Sequence, residues 1–97
     1  MAYNMDSMEE LHLSLNEIEK LEGMEAIEAL NKYLEAHPED DEAYVVRGLK
    51  YWSLQRRREA TNDYLAAIRI NPQSRANTLL KYTNSIMDFY NKDLLNP

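Results

Sequence analysis

The residues best suited to binding a metal ion are too few and too far apart to form a site. The 97-residue sequence has two histidines, His12 and His37, which are 25 positions apart, and it has no cysteine. Transition metals need clustered imidazole or thiolate ligands, and no HExxH-like spacing occurs. We therefore predict no metal and no cofactor. A position near a helix C-terminus, where the backbone dipole favours a cation, explains His37 better.

Acidic side chains are abundant, but they show no catalytic pattern. Glu9, Glu10, Glu17, Glu19 and Glu22 can pair across helical turns, and nothing in the sequence marks one of them as buried. The sequence also lacks a glycine-rich phosphate loop and a nucleophile motif. A solvated acidic surface is the simpler interpretation, and we expect no enzymatic activity.

Arg56, Arg57 and Arg58 form the one basic cluster. Consecutive residues of a helix point about 100° apart, so these three side chains cannot form one flat patch. The chain as a whole has a net charge of −6, whereas nucleic-acid binding depends on clustered Lys and Arg. We therefore expect no nucleic-acid partner, and an accessory role with nucleic acid is kept as a remote alternative.

The net charge is unevenly distributed along the chain. Residues 7–40 contain ten acidic residues and two lysines, whereas residues 41–73 contain four acidic and six basic residues. This asymmetry favours a partner selected by charge, or head-to-tail association between copies. A solvated acidic helix face is the alternative.

The length and composition predict a single soluble domain. The first residues lack the basic region and apolar run of a secretory signal, and no stretch approaches the roughly 18 apolar residues of a membrane span. We expect a cytoplasmic protein with no membrane partner.

Apolar spacings of three and four, together with capping residues, predict five antiparallel helices. Ser7 and Glu10 fit a capping box for a first helix that ends before Gly23. Later helices are predicted to end at His37-Pro38, near Leu54-Gln55 and at Asn71-Pro72, and the last to run to about Tyr90. Asp40 and Asp41 are predicted to cap the third helix and Ser74 to cap the fifth. The residues predicted to face inward are Met8, Leu11, Leu15, Ile18, Leu21, Ala26, Ile27, Leu30, Tyr33, Leu34, Tyr44, Gly48, Tyr51, Trp52 (with Val45 and Leu49 beside them), Ala60, Tyr64, Ala67, Ile68, Leu79, Tyr82, Thr83, Ile86 and Phe89.

The sequence repeats itself with a period of 34 residues. The pairs that show the period are Ala26 and Ala60, Leu30 and Tyr64, and Pro38 and Pro72. This helix–turn–helix unit resembles the tetratricopeptide repeat. Seven residues take the family's packing positions: Tyr44, Gly48, Tyr51, Ala60, Tyr64, Ala67 and Pro72. Arg47 departs from the pattern, since the family usually has leucine there.

The resemblance implies an all-α, tetratricopeptide-like α-solenoid of about five helices. We assign residues 1–6 to a flexible N-terminus and residues 7–97 to one domain: repeat one (7–40), repeat two (41–74) and a capping helix (75–97). A one-residue shift in the turn near Gly23 is needed to place apolar residues inward in the first hairpin, and a similar shift is needed in the capping helix. Three repeats are usually required for a stable solenoid, so the capping helix or self-association must supply the missing interface.

Members of this family bind peptides on the concave face formed by the first helix of each hairpin. The resemblance therefore implies a groove whose residues are Glu42, Val45, Leu49, Trp52, Leu80, Asn84, Met87, His12 and Asn16. Val45, Leu49 and Trp52 make an apolar strip suited to anchoring an apolar side chain. The alternative is that Trp52 simply packs against the fifth helix.

Three functions are compatible with these features. The first is an adaptor that binds a segment of another protein, with basic and apolar character. The second is a self-associating scaffold, possible as a homodimer, and the third is the remote nucleic-acid role. The apolar C-terminal residues Phe89, Tyr90, Leu94 and Leu95 are predicted either to pack on the last hairpin or to form an association surface.

Overall fold

The computed structural model of this chain describes residues 13–84. All regular secondary structure in this range is helical, which confirms the predicted all-α class. The helices are α1 (Leu15–Glu19), α2 (Gly23–Ala36), α3 (Asp41–Ser53), α4 (Arg57–Ile70) and α5, which is described over residues 76–84. No helix within residues 13–84 is long and apolar enough to cross a lipid bilayer.

Helix α1 begins later than the sequence predicts. Leu13 and Ser14 are not helical, so one continuous helix from Ser7 to Leu21 is wrong. Ser14 and Glu17 form the capping box instead: the Ser14 N–H donates to Glu17 Oε1 at 3.0 Å, and the Glu17 N–H donates to Ser14 Oγ at 3.2 Å. The hydrogen bond from the Ser14 N–H is the main cause that lowers the pKa of Glu17. Ser7 itself lies outside the described residues, as do residues 1–6 and the predicted helix end at Tyr90.

The turn between α2 and α3 is held by Asp40. Its carboxylate accepts from the Ala43 N–H at 3.2 Å, which confirms the predicted cap, and from the Tyr33 hydroxyl at 2.8 Å. The Tyr33 hydrogen bond raises the pKa of that phenol. Because Tyr33 belongs to α2 and Asp40 caps α3, one carboxylate sets the junction of the two predicted repeats.

Helices α3 and α4 form an antiparallel hairpin. The Asn71 amide donates to Asp41 Oδ2 at 3.1 Å, and Arg47 pairs with Asp63 near the middle of both helices. From the first contact to the second, the residue number rises on α3 and falls on the α4 side, so the two helices run in opposite directions. The packing residues Gly48, Ala60, Tyr64 and Ala67 are buried, as predicted for this hairpin.

Gly48 allows the closest approach within the hairpin. A Cβ atom at this position would lie 2.6 Å from Tyr64 Cε1 and 3.3 Å from the Ala60 carbonyl oxygen. The Tyr64 ring is itself fully buried and has little room to move. A small residue at 48 is therefore required by the neighbouring ring rather than by backbone conformation.

We expect Gly48→Ala to lower the free energy of unfolding by about 1–2 kcal/mol. Overpacking typically costs about 1–3 kcal/mol, and the better helix propensity of alanine returns up to about 1 kcal/mol. Urea denaturation measures the change. Replacing the ring in a Gly48→Ala/Tyr64→Leu variant should reduce the penalty of the added methyl. A Gly48→Ala variant more stable than the parent would contradict this packing.

The α3–α4 turn ends α3 in a Schellman motif. Gln55 has a φ of 67°, its N–H donates to the Trp52 carbonyl at 3.0 Å, and the Arg56 N–H donates to the Tyr51 carbonyl at 2.9 Å. Glycine is the usual residue at this left-handed position because it has no Cβ. Gln55 therefore holds a strained backbone conformation.

We expect Gln55→Gly to raise the free energy of unfolding by about 0.5 kcal/mol. The substitution removes about 1–2 kcal/mol of left-handed strain from the folded state. Glycine also makes the unfolded chain more flexible, which opposes this gain by up to about 1 kcal/mol. Thermal denaturation is the measurement. The control is Gln73→Gly, another exposed glutamine but without positive φ, which should only destabilise. Loss of stability in both variants would refute the strain at Gln55.

Helix α5 is anchored to α3 at its start. The Ala76 N–H donates to Ser74 Oγ at 3.0 Å, which confirms the predicted serine cap, and the Arg75 guanidinium lies 2.6 Å from Glu42 Oε1. Thr83 is buried as predicted, but Tyr82 is 70% exposed, so its predicted inward position is wrong. Adjacent residues of a helix point about 100° apart, so burying Thr83 turns Tyr82 outward.

Candidate protein-binding groove

An apolar depression of about 200 Å³ lies where α3, α4 and α5 meet. We call it the α3–α5 groove, and it is lined by Leu49, Trp52, Tyr64, Leu79, Tyr82 and Thr83. Aliphatic and aromatic carbon forms most of this surface. It differs from a depression beside α1 and α2, whose lining includes the charged residues Glu25, Glu28 and Lys32.

Helical spacing brings the groove side chains together. Leu49 and Trp52 are three residues apart on α3, and Leu79 and Tyr82 are three apart on α5, so each pair shares one helix face. Tyr64 of α4 lies buried between the two helices and closes the floor. Its pKa is raised mainly by burial, so its hydroxyl stays protonated at neutral pH.

Two of the predicted groove residues on α3 line the groove, and two do not. Leu49 and Trp52 are half-buried in its wall. Val45 is 0% exposed and packs in the core with Ala60, so it cannot contact a ligand and its prediction is wrong. Val45 lies one turn before Leu49, where the hairpin and α5 already cover this face. Glu42 is half-exposed, and Arg75 occupies its carboxylate.

The remaining predicted groove residues do not converge on this depression. Asn16 and Asn84 are exposed and line no part of it. Leu80 is half-buried against the α3–α4 core, next to the groove residue Leu79 but on a different face of α5. His12 and Met87 lie outside the described residues.

Trp52 fulfils both alternatives that the sequence left open, a place in the groove and packing beside the fifth helix. It packs against the core beside α5, and it remains partly exposed in the groove wall. The Arg57 guanidinium carbon lies 5.0 Å from its ring centroid, a cation–π contact. Arg57 Nε is buried and has no hydrogen-bond acceptor among the described residues. Arg57 does not itself line the groove, but it places a positive charge next to the aromatic residue that does.

Arg47 forms an ion pair that the sequence did not predict. Its Nε and Nη2 donate to the two carboxylate oxygens of Asp63 at 2.9 and 2.8 Å, and its Nη1 donates to the Asn31 side chain at 2.9 Å. The guanidinium also lies 5.4 Å from the Tyr44 ring centroid and 6.0 Å from that of Tyr51. This network ties α2 to the α3–α4 hairpin. The signal available in the sequence was an arginine at a position where the family usually has leucine.

Burial and pairing act in opposite directions on Asp63. Burial raises the pKa of Asp63, and the Arg47 hydrogen bonds offset only part of that rise. The same hydrogen bonds raise the pKa of Arg47, so the arginine remains charged. Because both Asp63 oxygens accept from Arg47, the pair serves to join helices rather than to transfer a proton.

No group of three or more His, Cys, Asp or Glu side chains in residues 13–84 is arranged to hold a metal ion.

Comparison with known proteins finds no matching family model, no matching curated protein and no matching solved structure. The resemblance to the tetratricopeptide repeat, the solenoid arrangement and the repeat boundaries therefore stay predictions. The α3–α4 hairpin and the α3–α5 groove are established by the structure of residues 13–84 without support from a known relative.

Proposed function

We propose that this protein is an interaction module that binds a segment of another protein in the α3–α5 groove. The observation that carries the proposal is the apolar wall of Leu49, Trp52 and Leu79, continued outward by Tyr82. A few residues carry most of the binding energy in protein interfaces, and Trp, Tyr and Arg are enriched among them. A cytoplasmic location and the absence of enzymatic activity belong to the same proposal.

The size of the groove favours one apolar anchor rather than a folded surface. A depression of about 200 Å³ accepts one or two side chains, with the rest of the segment lying along α5. The tetratricopeptide resemblance supports this mode, because the first helix of a hairpin supplies the binding face in that family. The predicted preference for a basic partner rested partly on Glu42, whose carboxylate is already paired with Arg75.

Selection from a displayed random-peptide library tests the proposal. We expect enriched peptides to change the fluorescence of Trp52, the single tryptophan of the chain. Tyr82→Ala should weaken them at least about tenfold, as for a hot-spot residue. Tyr82 is largely exposed, so this variant should keep its fold.

Leu65→Ala is the matched control, because Leu65 is an exposed apolar residue that does not line the groove. It should bind selected peptides as the parent does. If no peptides are enriched, or if they bind Tyr82→Ala unchanged and leave Trp52 emission unaltered, the groove is not a binding site.

A further inference from the structure

The described part of the chain is divided into an acidic and a basic end. Residues 13–40 hold eight acidic residues and two lysines, whereas residues 41–84 hold four acidic and eight basic residues. Of those four acidic side chains, Glu42 pairs with Arg75, Glu59 with Arg56, and Asp63 with Arg47. The α3–α5 groove therefore lies at the end with surplus positive charge, and Arg57 stands directly against its Trp52 wall.

The opposite end presents an apolar side chain among acids. Met24, in the first turn of α2, is 49% exposed, and Glu25 and Glu28 are exposed beside it. Met24 and Glu28 are four residues apart, so they share a helix face with Cβ atoms about 5–6 Å apart. The pair thus offers an apolar group beside an acid, and the Trp52–Arg57 pair offers an aromatic ring beside a cation.

We propose that the α3–α5 groove binds the first turn of α2 from a second copy of this chain. Met24 of one copy lies in the groove against Trp52 of the other, and Glu28 lies against Arg57. The proposal rests on the proposed function in one respect, namely that the groove is a binding surface. It goes further by naming an occupant whose apolar and charged groups match that wall.

Such a contact joins copies head to tail. Ala26, Ile27 and Leu30 of α2 are buried, whereas Met24 is exposed on another face of the helix and does not line the groove of its own chain. A surface at one end that binds a different surface at the other end extends into chains of copies unless it closes into a ring. The association therefore depends on concentration and, because it pairs opposite charges at the protein surface, on salt.

Sedimentation velocity of the full chain tests the association. We expect the sedimentation coefficient to rise with protein concentration at about 20 mM salt and to fall towards that of a single copy at about 500 mM salt. Met24→Asp and Arg57→Glu should each weaken association at least about tenfold. Both substitutions place an acid in the first turn of a helix, where it is tolerated, and circular dichroism verifies folding.

Mixing the two variants separates head-to-tail contact from any symmetric dimer. The Arg57→Glu chain keeps an intact Met24 end, and the Met24→Asp chain keeps an intact groove. An equimolar mixture should therefore form a complex of two chains that neither variant forms alone. Leu65→Asp, which changes an exposed apolar residue outside both surfaces, should associate like the parent.

Three results would overturn the proposal: a parent chain that sediments as one copy at low salt and high concentration, variants that associate like the parent, or a mixture without complex. None of these decides the proposed function. Peptide selection can also be performed on the Met24→Asp variant, which keeps the groove intact and lacks the proposed contact between copies. Peptides that bind this variant would uphold the interaction module even where self-association fails.

Discussion

Arg47→Leu is expected to lower the free energy of unfolding by about 3 kcal/mol, even though leucine is the residue that the tetratricopeptide pattern usually has there. Asp63 is 4% exposed, and both of its carboxylate oxygens accept hydrogen bonds from Arg47. Without the guanidinium, a carboxylate remains buried with no charged partner. Breaking one side of such a pair typically costs about 3–5 kcal/mol, and we expect the lower value because Asp63 can take up a proton.

The loss should become smaller as the pH falls. Burial already raises the pKa of Asp63, and removing Arg47 raises it further. A carboxyl group whose pKa is higher in the folded state binds more protons there, so its protonation stabilises the folded state as the pH drops towards the ordinary value of 3.8. Urea denaturation of parent and variant at neutral and mildly acidic pH measures both effects.

The double variant Arg47→Leu/Asp63→Leu should recover most of the loss, because it replaces the pair with apolar groups instead of orphaning one charge. Arg58→Leu controls for the loss of an arginine, since Arg58 is exposed on α4 and makes no ion pair within residues 13–84. An Arg47→Leu variant as stable as the parent would show that Asp63 is adequately solvated without its partner.

Leu30→Ala is expected to cost about 3 kcal/mol, within the usual range for a buried leucine. Leu30 is 0% exposed and lies in a cluster with Ile18 of α1 and Val46 of α3. The cavity would therefore open between the first hairpin and the second. Because Val46 belongs to α3, we expect the two hairpins to unfold together.

Urea denaturation followed by two signals tests that coupling. Trp52 fluorescence reports on the second hairpin, and far-ultraviolet circular dichroism reports on all helices. Both midpoints should shift together in Leu30→Ala, whereas Leu65→Ala, at a leucine 40% exposed, should change stability by less than about 0.5 kcal/mol. A Trp52 transition that stays in place while helicity is lost early would mean that the hairpins unfold independently.

Helix ends within residues 13–84 were largely predictable because local groups decide them. Asp40 and Ser74 accept backbone N–H groups of the turns they begin, and α2 and α4 end just before Pro38 and Pro72. The start of α1 was the exception. The capping-box pattern occurs twice, at Ser7-Glu10 and at Ser14-Glu17. The structure has the Ser14-Glu17 box, and Ile18, the next residue of α1, is buried.

The groove was predictable in part. Helical spacing placed Leu49 and Trp52 on one face, and the structure brings both into the groove wall. Helical spacing does not reveal that Val45, one turn earlier, is completely buried, or that Tyr82 is exposed beside the buried Thr83. The exposure of both residues depends on how α5 is rotated against the α3–α4 hairpin. The apolar pattern of α5 allows more than one rotation.

The amino-acid sequence by itself determined the helical class, the helix ends after α1 and the small residues on which the α3–α4 hairpin closes. These follow from hydrogen bonds and side-chain volumes within a few positions along the chain. Only the tertiary structure decided the Arg47–Asp63 pair, the position of Arg57 against Trp52 and the exposure of Tyr82. Those features depend on the register and rotation of helices packed against one another, which no local pattern specifies.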